Sequence, residues 1–464
     1  CPYFVPCEPI ESCIGNNLCG KGYTGKKCNK CDQSYFRVDG YCVSCPENPF
    51  LMVGMVGAAI LMASVVMFVI GRLKINVGVI SIGIDYFQVL GMFSSQKIPW
   101  PRVMMILFDY LSAFSFNLDV AAPECAGGGV PVYVKWFMTQ FIPIAILVGL
   151  LLYTSIRICF LTMQRRKEKE KVEEVKPENA GIEEVVNGQS NTIQSSIDVK
   201  IIEQVGMASS MFLSIFYLMY LNMTKKAMDV FNCSPGDPPD DPANPTLFMD
   251  MAPDQICYTP GSWETGMHTK LIPWAYACVL AYSMGFPVFI WLKFKRYKEV
   301  IFEDQVLFAQ DRGRSASTNP NFAFRKRYSK LYKNYKPDKW YWVIIILVKK
   351  LGLCFTGLMF KRNPTFQLSV AVMILFWATT MQLNHRPFMS MIERSAIVTE
   401  ASSREFERGN KLIRKMSAFG GDPEEIEKAK KQLAMEEQAQ LQVARALKIA
   451  SKYFINYNDV EGAF

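Results

Sequence analysis

The sequence predicts an all-α polytopic membrane protein of about seven transmembrane helices, with a small disulfide-rich extracellular module at its N-terminus and a helical cytoplasmic C-terminal tail. Three observations predict it. The 464 residues are 50% hydrophobic and 20% charged, and the apolar residues form long blocks rather than amphipathic stripes, as lipid-spanning helices do. Eight of the 14 cysteines fall in the first 45 residues, the pattern of an oxidised extracellular module. The net charge of +9 gathers beside the apolar blocks, so it reads as lipid-headgroup and orientation signals rather than a nucleic-acid surface.

The cysteine module covers residues 1–48 and holds Cys1, Cys7, Cys13, Cys19, Cys28, Cys31, Cys42 and Cys45. Eight cysteines allow 105 pairings, so the sequence assigns no connectivity. Cys28-x-x-Cys31 and Cys42-x-x-Cys45 approach a zinc-ribbon spacing, but the four preceding cysteines and the oxidising side of the membrane favour disulfides. The chain opens on Cys1, which reads as a removed signal peptide or a longer ectodomain ahead of it.

A transmembrane domain follows over residues 49–389. Residues 50–71 are uncharged and long enough to cross a hydrocarbon core of about 30 Å. Arg72 and Lys74 come next and place the inner side there. The second span, 77–95, carries Asp85. Residues 100–120 are apolar but interrupted by Asp109, Asn117 and Asp119, and read as a re-entrant or interfacial segment covered by protein. Residues 131–161 cross inward and end in QRRKEKEK, and 172–200 read as a flexible polar cytoplasmic loop. Residues 201–222 return outward to a loop rich in proline and aspartate with Cys233 and Cys257, expected to form a further disulfide. Asn222 and Asn232 head glycosylation sequons, Asn222 close to the bilayer boundary. Residues 271–294 go inward, 340–360 outward, Lys361–Pro364 turn the chain, and 365–385 re-enter. The tail, 390–464, is charged and helix-rich. Asp422-Pro-Glu-Glu is a helix start, and the helix after it lacks a clean heptad, which favours packing on the protein's own cytoplasmic face over a coiled coil.

Cys19-Gly-Lys-Gly-Tyr-Thr-Gly-Lys-Lys-Cys28 has the glycine–aromatic turn of epidermal-growth-factor-like modules and resembles laminin- and ephrin-receptor-type repeats. IPWPRVMMILFDYLSAFSFNLDVAAPEC, FYLMYLNMTKKAMDVFNC, AYSMGFPVFIWLKFKR, WYWVIIILVKKLGLCFTG and LNHRPFMS together resemble a family of seven-span proteins of algae, ciliates and other protists. That family is similar to the transient-receptor-potential-like membrane domain of fungal and polycystin relatives. The resemblance covers most of residues 75–390. It implies a cation channel or sensor and supplies no catalytic residues. In such channels the ion filter lies between the last two spans. Here that connection is Lys361-Arg-Asn-Pro364, which turns the chain but is too short for a ring of carbonyls or carboxylates. Any ion path would then use residues 96–120 with Asp109 and Asp119.

Lys349 and Lys350 interrupt an apolar span. Lys349 lies about 14 Å into the bilayer at helical rise, and Asp85 enters from the same side at about 12 Å. An unpaired lysine there costs roughly 2.5–3.5 kcal/mol, so one of the two is expected to pair with Asp85 while the other snorkels or lines a wet cavity. Just inside the membrane, Arg325, Lys326, Arg327, Lys330, Lys333, Lys336 and Lys339 interleave with aromatic residues, as a lipid-headgroup belt does.

The two histidines, His268 and His385, fall on opposite predicted sides of the membrane, and no nucleotide-binding, nucleophile-elbow or zinc-protease motif occurs. The sequence therefore calls for no enzyme, catalytic residue, metal or cofactor, only bound lipids and N-glycans. The expected function is an oligomeric plasma-membrane or ciliary sensor or cation-channel-like protein. The alternative is a non-conducting receptor or anchor whose extracellular module binds a protein or glycan. The expected partners are membrane lipids and further copies of the chain, with no nucleic acid.

Overall fold

The computed structural model describes residues 10–45 (without 16–17, 26–27, 29, 33 and 39–40), 77–94, 101, 103–104, 107, 131–174, 180–235, 243–360 (without 264), 363–418 and 422–451. The first predicted span, Cys1, Cys7, Asp109 and Asp119 lie outside the described residues.

The described chain is mostly helical: α1 (Val77–Ser94), α2 (Val132–Glu174), α3 (Ala180–Asp229), α4 (Met267–Arg296), α5 (Lys298–Ala309), α6 (Phe322–Tyr332), α7 (Trp342–Met359), α8 (Pro364–His385), α9 (Met391–Ala418) and α10 (Pro423–Ala450). Four stretches among the described residues are long and apolar enough to cross a membrane: Val132–Lys167, Ile197–Asp229, Met267–Arg296 and Pro364–His385. α1 and α7 have 18 residues each, about 27 Å of helix. The run Val343-Ile-Ile-Ile-Leu-Val348 in α7 is one that water would favour as a strand. A helix satisfies its own backbone, which is what a lipid environment demands.

One expectation fails. Of residues 172–200, those described are helical rather than a loop: α2 runs to Glu174 and α3 begins at Ala180. Once a long helix exists, each further residue adds a hydrogen bond without a new nucleus; from Ala180 to Lys200 there is no proline, and Gly181 and Gly188 each cost only about 1 kcal/mol.

The chain divides into two compact units, residues 1–144, 216–289 and 346–378 in one and 145–215, 290–345 and 379–464 in the other. In the first, short antiparallel pairs make up the N-terminal module: β1 (Cys13–Gly15) with β2 (Leu18–Cys19), β3 (Tyr23–Thr24) with β4 (Lys30–Cys31), and β5 (Tyr35–Val38) with β6 (Tyr41–Ser44). So little regular structure cannot bury a core, and disulfides Cys19–Cys28 and Cys31–Cys42 hold it. Cys13 and Cys45 are also disulfide-bonded. Gly22, at φ +88°, packs on the Tyr35 ring, and a Cβ there would sit 2.5 Å from ring carbons. A second small sheet, β7 (Cys233–Pro235), β8 (Leu247–Met249) and β9 (Ala252–Ile256), lies between α3 and α4 in sequence and is closed by Cys233–Cys257. Beside it Trp136, Val230, Met249, Leu271 and Ala275 form one buried cluster. Val89, Met92, Leu221, Met228, Leu353, Cys354 and Ala371 form another, joining α1, α3, α7 and α8.

In the second unit the C-terminal helices form a hairpin. α9 starts on a capping box, with Glu393 N–H donating to Ser390 Oγ (3.2 Å) and Ser390 N–H to Glu393 Oε2 (3.0 Å). α10 starts at Asp422, whose side chain accepts from Glu424 N–H at 3.0 Å. Ser395 Oγ–H donates to the Ala444 carbonyl, and Ala309, Val398 and Ala444 pack together. Arg394 caps the end of α5, donating to the Phe308 and Ala309 carbonyls at 2.8 and 3.1 Å. Between α5 and α6, buried Asp304 accepts from Asn319 Nδ2 (2.7 Å) and Tyr332 Oη (2.8 Å), with Arg325 3.6 Å away. Burial and this carboxylate push the Tyr332 hydroxyl well above its usual pKa.

Candidate functional site

Asp85 and Gln88 are three residues apart on α1 and share a face. Asp85 Oδ1 lies 2.6 Å from Lys350 Nζ of α7, and Asp85 Oδ2 accepts from Tyr217 Oη of α3 at 2.7 Å. Lys350 also donates to Gln88 Oε1 at 3.1 Å and sits 4.6 Å above the Tyr217 ring centroid. Gln88 Nε2 in turn donates to the Leu218 carbonyl at 2.8 Å. The Lys350 side chain is 0% exposed and that of Asp85 16%. One cation, one carboxylate, one phenol and one carboxamide thus tie three helices together, each satisfying another's polar atoms. Their geometry is that of a compensated charge. An unpaired partner in such a place would be destabilising by several kcal/mol, about 3–5.

Which lysine pairs follows from helix rotation. Lys350 faces α1 and α3, while Lys349 points about 100° away, is half-buried and has no carboxylate partner among the described residues. Tyr217 and Gln88 were missed from the sequence. Gln88 carried a signal, being a carboxamide one turn beyond an aspartate in an apolar helix. Tyr217 lies among many aromatic residues and carried none.

A second polar junction lies in the same unit. α4 contains a π-helical turn, Val279–Met284, just before Pro287. Proline has no N–H for the carbonyl four residues back, which is that of Ser283. Tyr220 Oη–H donates to that carbonyl at 2.7 Å, and Ser283 Oγ donates to Thr224 Oγ1 at 3.1 Å. Helix-breaking residues are tolerated in lipid when neighbouring groups make up the lost backbone bonds in this way.

Near the β7–β9 sheet, Cys233, Cys257 and His268 bring their ligand atoms within 4.8 Å of one another. The two sulfurs are bonded to each other. His268 Nδ1 accepts from Tyr258 N–H at 3.1 Å, so the tautomer with hydrogen on Nε2 faces the Val230 carbonyl, also at 3.1 Å. Both ring nitrogens are used in holding the loop, and the trio offers no free thiolate to a metal. Both sequon asparagines are buried. Asn222 is 6% and Asn232 7% exposed, and Asn232 Nδ2 leans on Asp229 at 3.4 Å.

Of the seven basic residues beside α6 and α7, four have protein partners. Arg325 donates to the Arg312 and Gly313 carbonyls, Lys326 pairs with Glu203 (2.9 Å), Lys336 with Glu393 (2.7 Å) and Lys339 with Asp338 (3.0 Å). Arg327, Lys330 and Lys333 have none among the described residues.

These features define a predominantly helical membrane protein with disulfide-bonded extramembrane elements and a compensated charge centre. No family model, curated protein or solved structure matches the chain.

Proposed function

We propose that the protein is an integral-membrane sensor of the cation-channel-like kind, with seven spans, its N-terminus outside the cell and its C-terminus in the cytoplasm, working as an oligomer in the plasma or ciliary membrane. The observation that carries this reading is the Asp85–Lys350–Tyr217–Gln88 centre. Ionisable groups inside a membrane bundle are costly, and they are retained where a pathway or a two-state element uses them. A salt bridge across three helices is such an element, since helices can slide or rotate only if it opens. The test is reconstitution of the purified protein into vesicles with a cation-sensitive dye, under voltage and membrane tension. The reading expects cation flux that Asp85→Asn alters. Absence of flux under both stimuli would overturn conduction.

One observation favours a second reading, a non-conducting receptor or anchor. Only four residues join Met359 to Pro364, which leaves no room for a filter between the last two helices. In that reading the disulfide-bonded module binds an extracellular protein or glycan, and the tail engages cytoplasmic partners.

A further inference from the structure

The connection from α5 to α6 carries Arg312-Gly-Arg314-Ser315-Ala-Ser317-Thr318. Both ends of this stretch are fixed. Arg325 donates to the Arg312 and Gly313 carbonyls at 3.2 and 2.9 Å on one side, and on the other buried Asn319 donates to Asp304 at 2.7 Å. Between them Arg314, Ser315, Ser317 and Thr318 are exposed. Ser315 Oγ lies 2.9 Å from both Ser317 Oγ and Thr318 Oγ1, and Thr318 N–H donates to the Ser315 carbonyl at 3.2 Å. The tip is thus a turn of hydroxyls held out from a fixed base. Exposed loop tips of small polar residues are where other enzymes reach a folded chain, as proteases do.

Two arginines precede these hydroxyls, and the structure separates them. Arg312 is tied into the C-terminal hairpin. Its Nη1 lies 3.5 Å from Glu405 of α9, and its Nε and Nη2 donate to the Gln440 side-chain oxygen of α10 at 2.8 and 3.0 Å. Arg314 is 69% exposed and pairs with Asp311, three residues back. An exposed local pair of this kind is weak and readily exchanged. Ser317 therefore has an available guanidinium three residues before it, with Arg312 five before. Ser315 has the held Arg312 three before it. Ser329 and Ser417 also follow a basic residue by three, Lys326 and Arg414, but they lie within α6 and α9, where the backbone is closed into helical hydrogen bonds. Kinases select substrates by such charge patterns, and carboxylates in a cleft read guanidinium groups by paired hydrogen bonds.

We propose that Ser317 is a phosphorylation site for an arginine-directed protein kinase, with ATP as phosphoryl donor, and that the phosphate takes Arg314 from Asp311. Ser317 Oγ attacks the γ-phosphorus. The new O–P bond forms as the bond to the ADP oxygen breaks, and the hydroxyl proton passes to a base of the kinase. The product carries about −1.5 to −2 charge and three acceptor oxygens, a stronger guanidinium partner than one carboxylate. The proposal rests on the orientation given above, which puts this connection on the cytoplasmic side beside Lys293, Lys295 and Arg296 at the end of α4, and not on conduction.

The test incubates the purified full chain, in a phosphorus-free detergent, with ATP and the catalytic subunit of an arginine-directed kinase, and maps sites by tandem mass spectrometry. Ser317 should be phosphorylated in the folded chain. Arg314→Gln should slow that at least about tenfold, and Ser417→Ala should leave it within about twofold. The phosphorus-31 signal that Ser317→Ala removes should show a lower second pKa in the folded chain than in denaturant, because a neighbouring guanidinium favours the dianion. Phosphate absent from Ser317, or found there in the denatured chain alone, overturns the proposal. So does a rate that Arg314→Gln leaves unchanged. Equal second pKa values overturn the exchange of Arg314. The assay in detergent needs neither conduction nor orientation, so its failure leaves the proposed function standing. An epitope inserted after Ser315 and stained on intact cells would overturn the orientation and the phosphorylation site together.

Discussion

Two aspartates, half-buried Asp85 and buried Asp304, are satisfied by the same kinds of groups in opposite ways. Each accepts a tyrosine hydroxyl, from Tyr217 at 2.7 Å and Tyr332 at 2.8 Å. Each has a cation beside it, Lys350 at 2.6 Å and Arg325 at 3.6 Å, and a carboxamide, Gln88 or Asn319, in its network. The partners of Asp304 lie 15 and 28 residues away in sequence, while those of Asp85 lie 132 and 265 away. The Asp304 network is thus a local clasp closing the connection from α5 to α6. The Asp85 network exists only when α1, α3 and α7 have assembled. Identical chemistry serves a turn in one region and a bundle in the other, and the consequences of breaking it should differ accordingly.

The sharpest way to separate the two is to remove one charge at each. Lys350→Met leaves Asp85 uncompensated and should destabilise the bundle by about 3–5 kcal/mol, seen as a large fall in melting temperature in detergent. Adding Asp85→Leu should restore much of the loss, because a well-packed apolar pair often matches a buried ion pair. A double variant no better than the single would show that the two charges are not coupled. Asp304→Ala should cost less, about 1–3 kcal/mol for the orphaned Asn319 and Tyr332 donors, and its effect should be confined to protease cleavage near residues 311–321. Global unfolding by that variant would erase the distinction between clasp and bundle. The smallest effect concerns Lys333. Its folded pKa is lowered, so the unfolded chain binds more protons, and stability without lipid should rise as pH climbs from the lowered folded value toward the ordinary 10.5. Lys333→Gln should flatten that slope, and a slope unchanged by the substitution would remove Lys333 as its source.

Much of the candidate centre was legible before any coordinates. Depth arithmetic alone brings Asp85 level with the Lys349–Lys350 step, because rise along a helix is the same for every sequence. The choice of Lys350 over Lys349 was not legible, nor was the part played by Tyr217. The disulfide Cys233–Cys257 was suggested by compartment and by a loop with two cysteines. The burial of Asn222 and Asn232 was hidden, since a sequon describes three residues and not the packing around them. The basic belt looked uniform as a string of letters. In three dimensions Arg325, Lys326 and Lys336 find partners elsewhere in the fold, Lys339 pairs with its neighbour Asp338, and Lys330 and Lys333 have no carboxylate partner among the described residues.

By itself the sequence determined that the chain is mostly helical, that several of its helices are apolar over membrane lengths, and that its cysteines are partly oxidised. These follow from composition and local periodicity, because a backbone in an apolar medium must satisfy itself within a few residues. Only the tertiary structure decided which charges meet, which carbonyl freed by Pro287 is taken by Tyr220, and which lysines have no carboxylate partner among the described residues. Those outcomes depend on how each helix is rotated about its axis, and rotation is set by packing against neighbours far away in the chain.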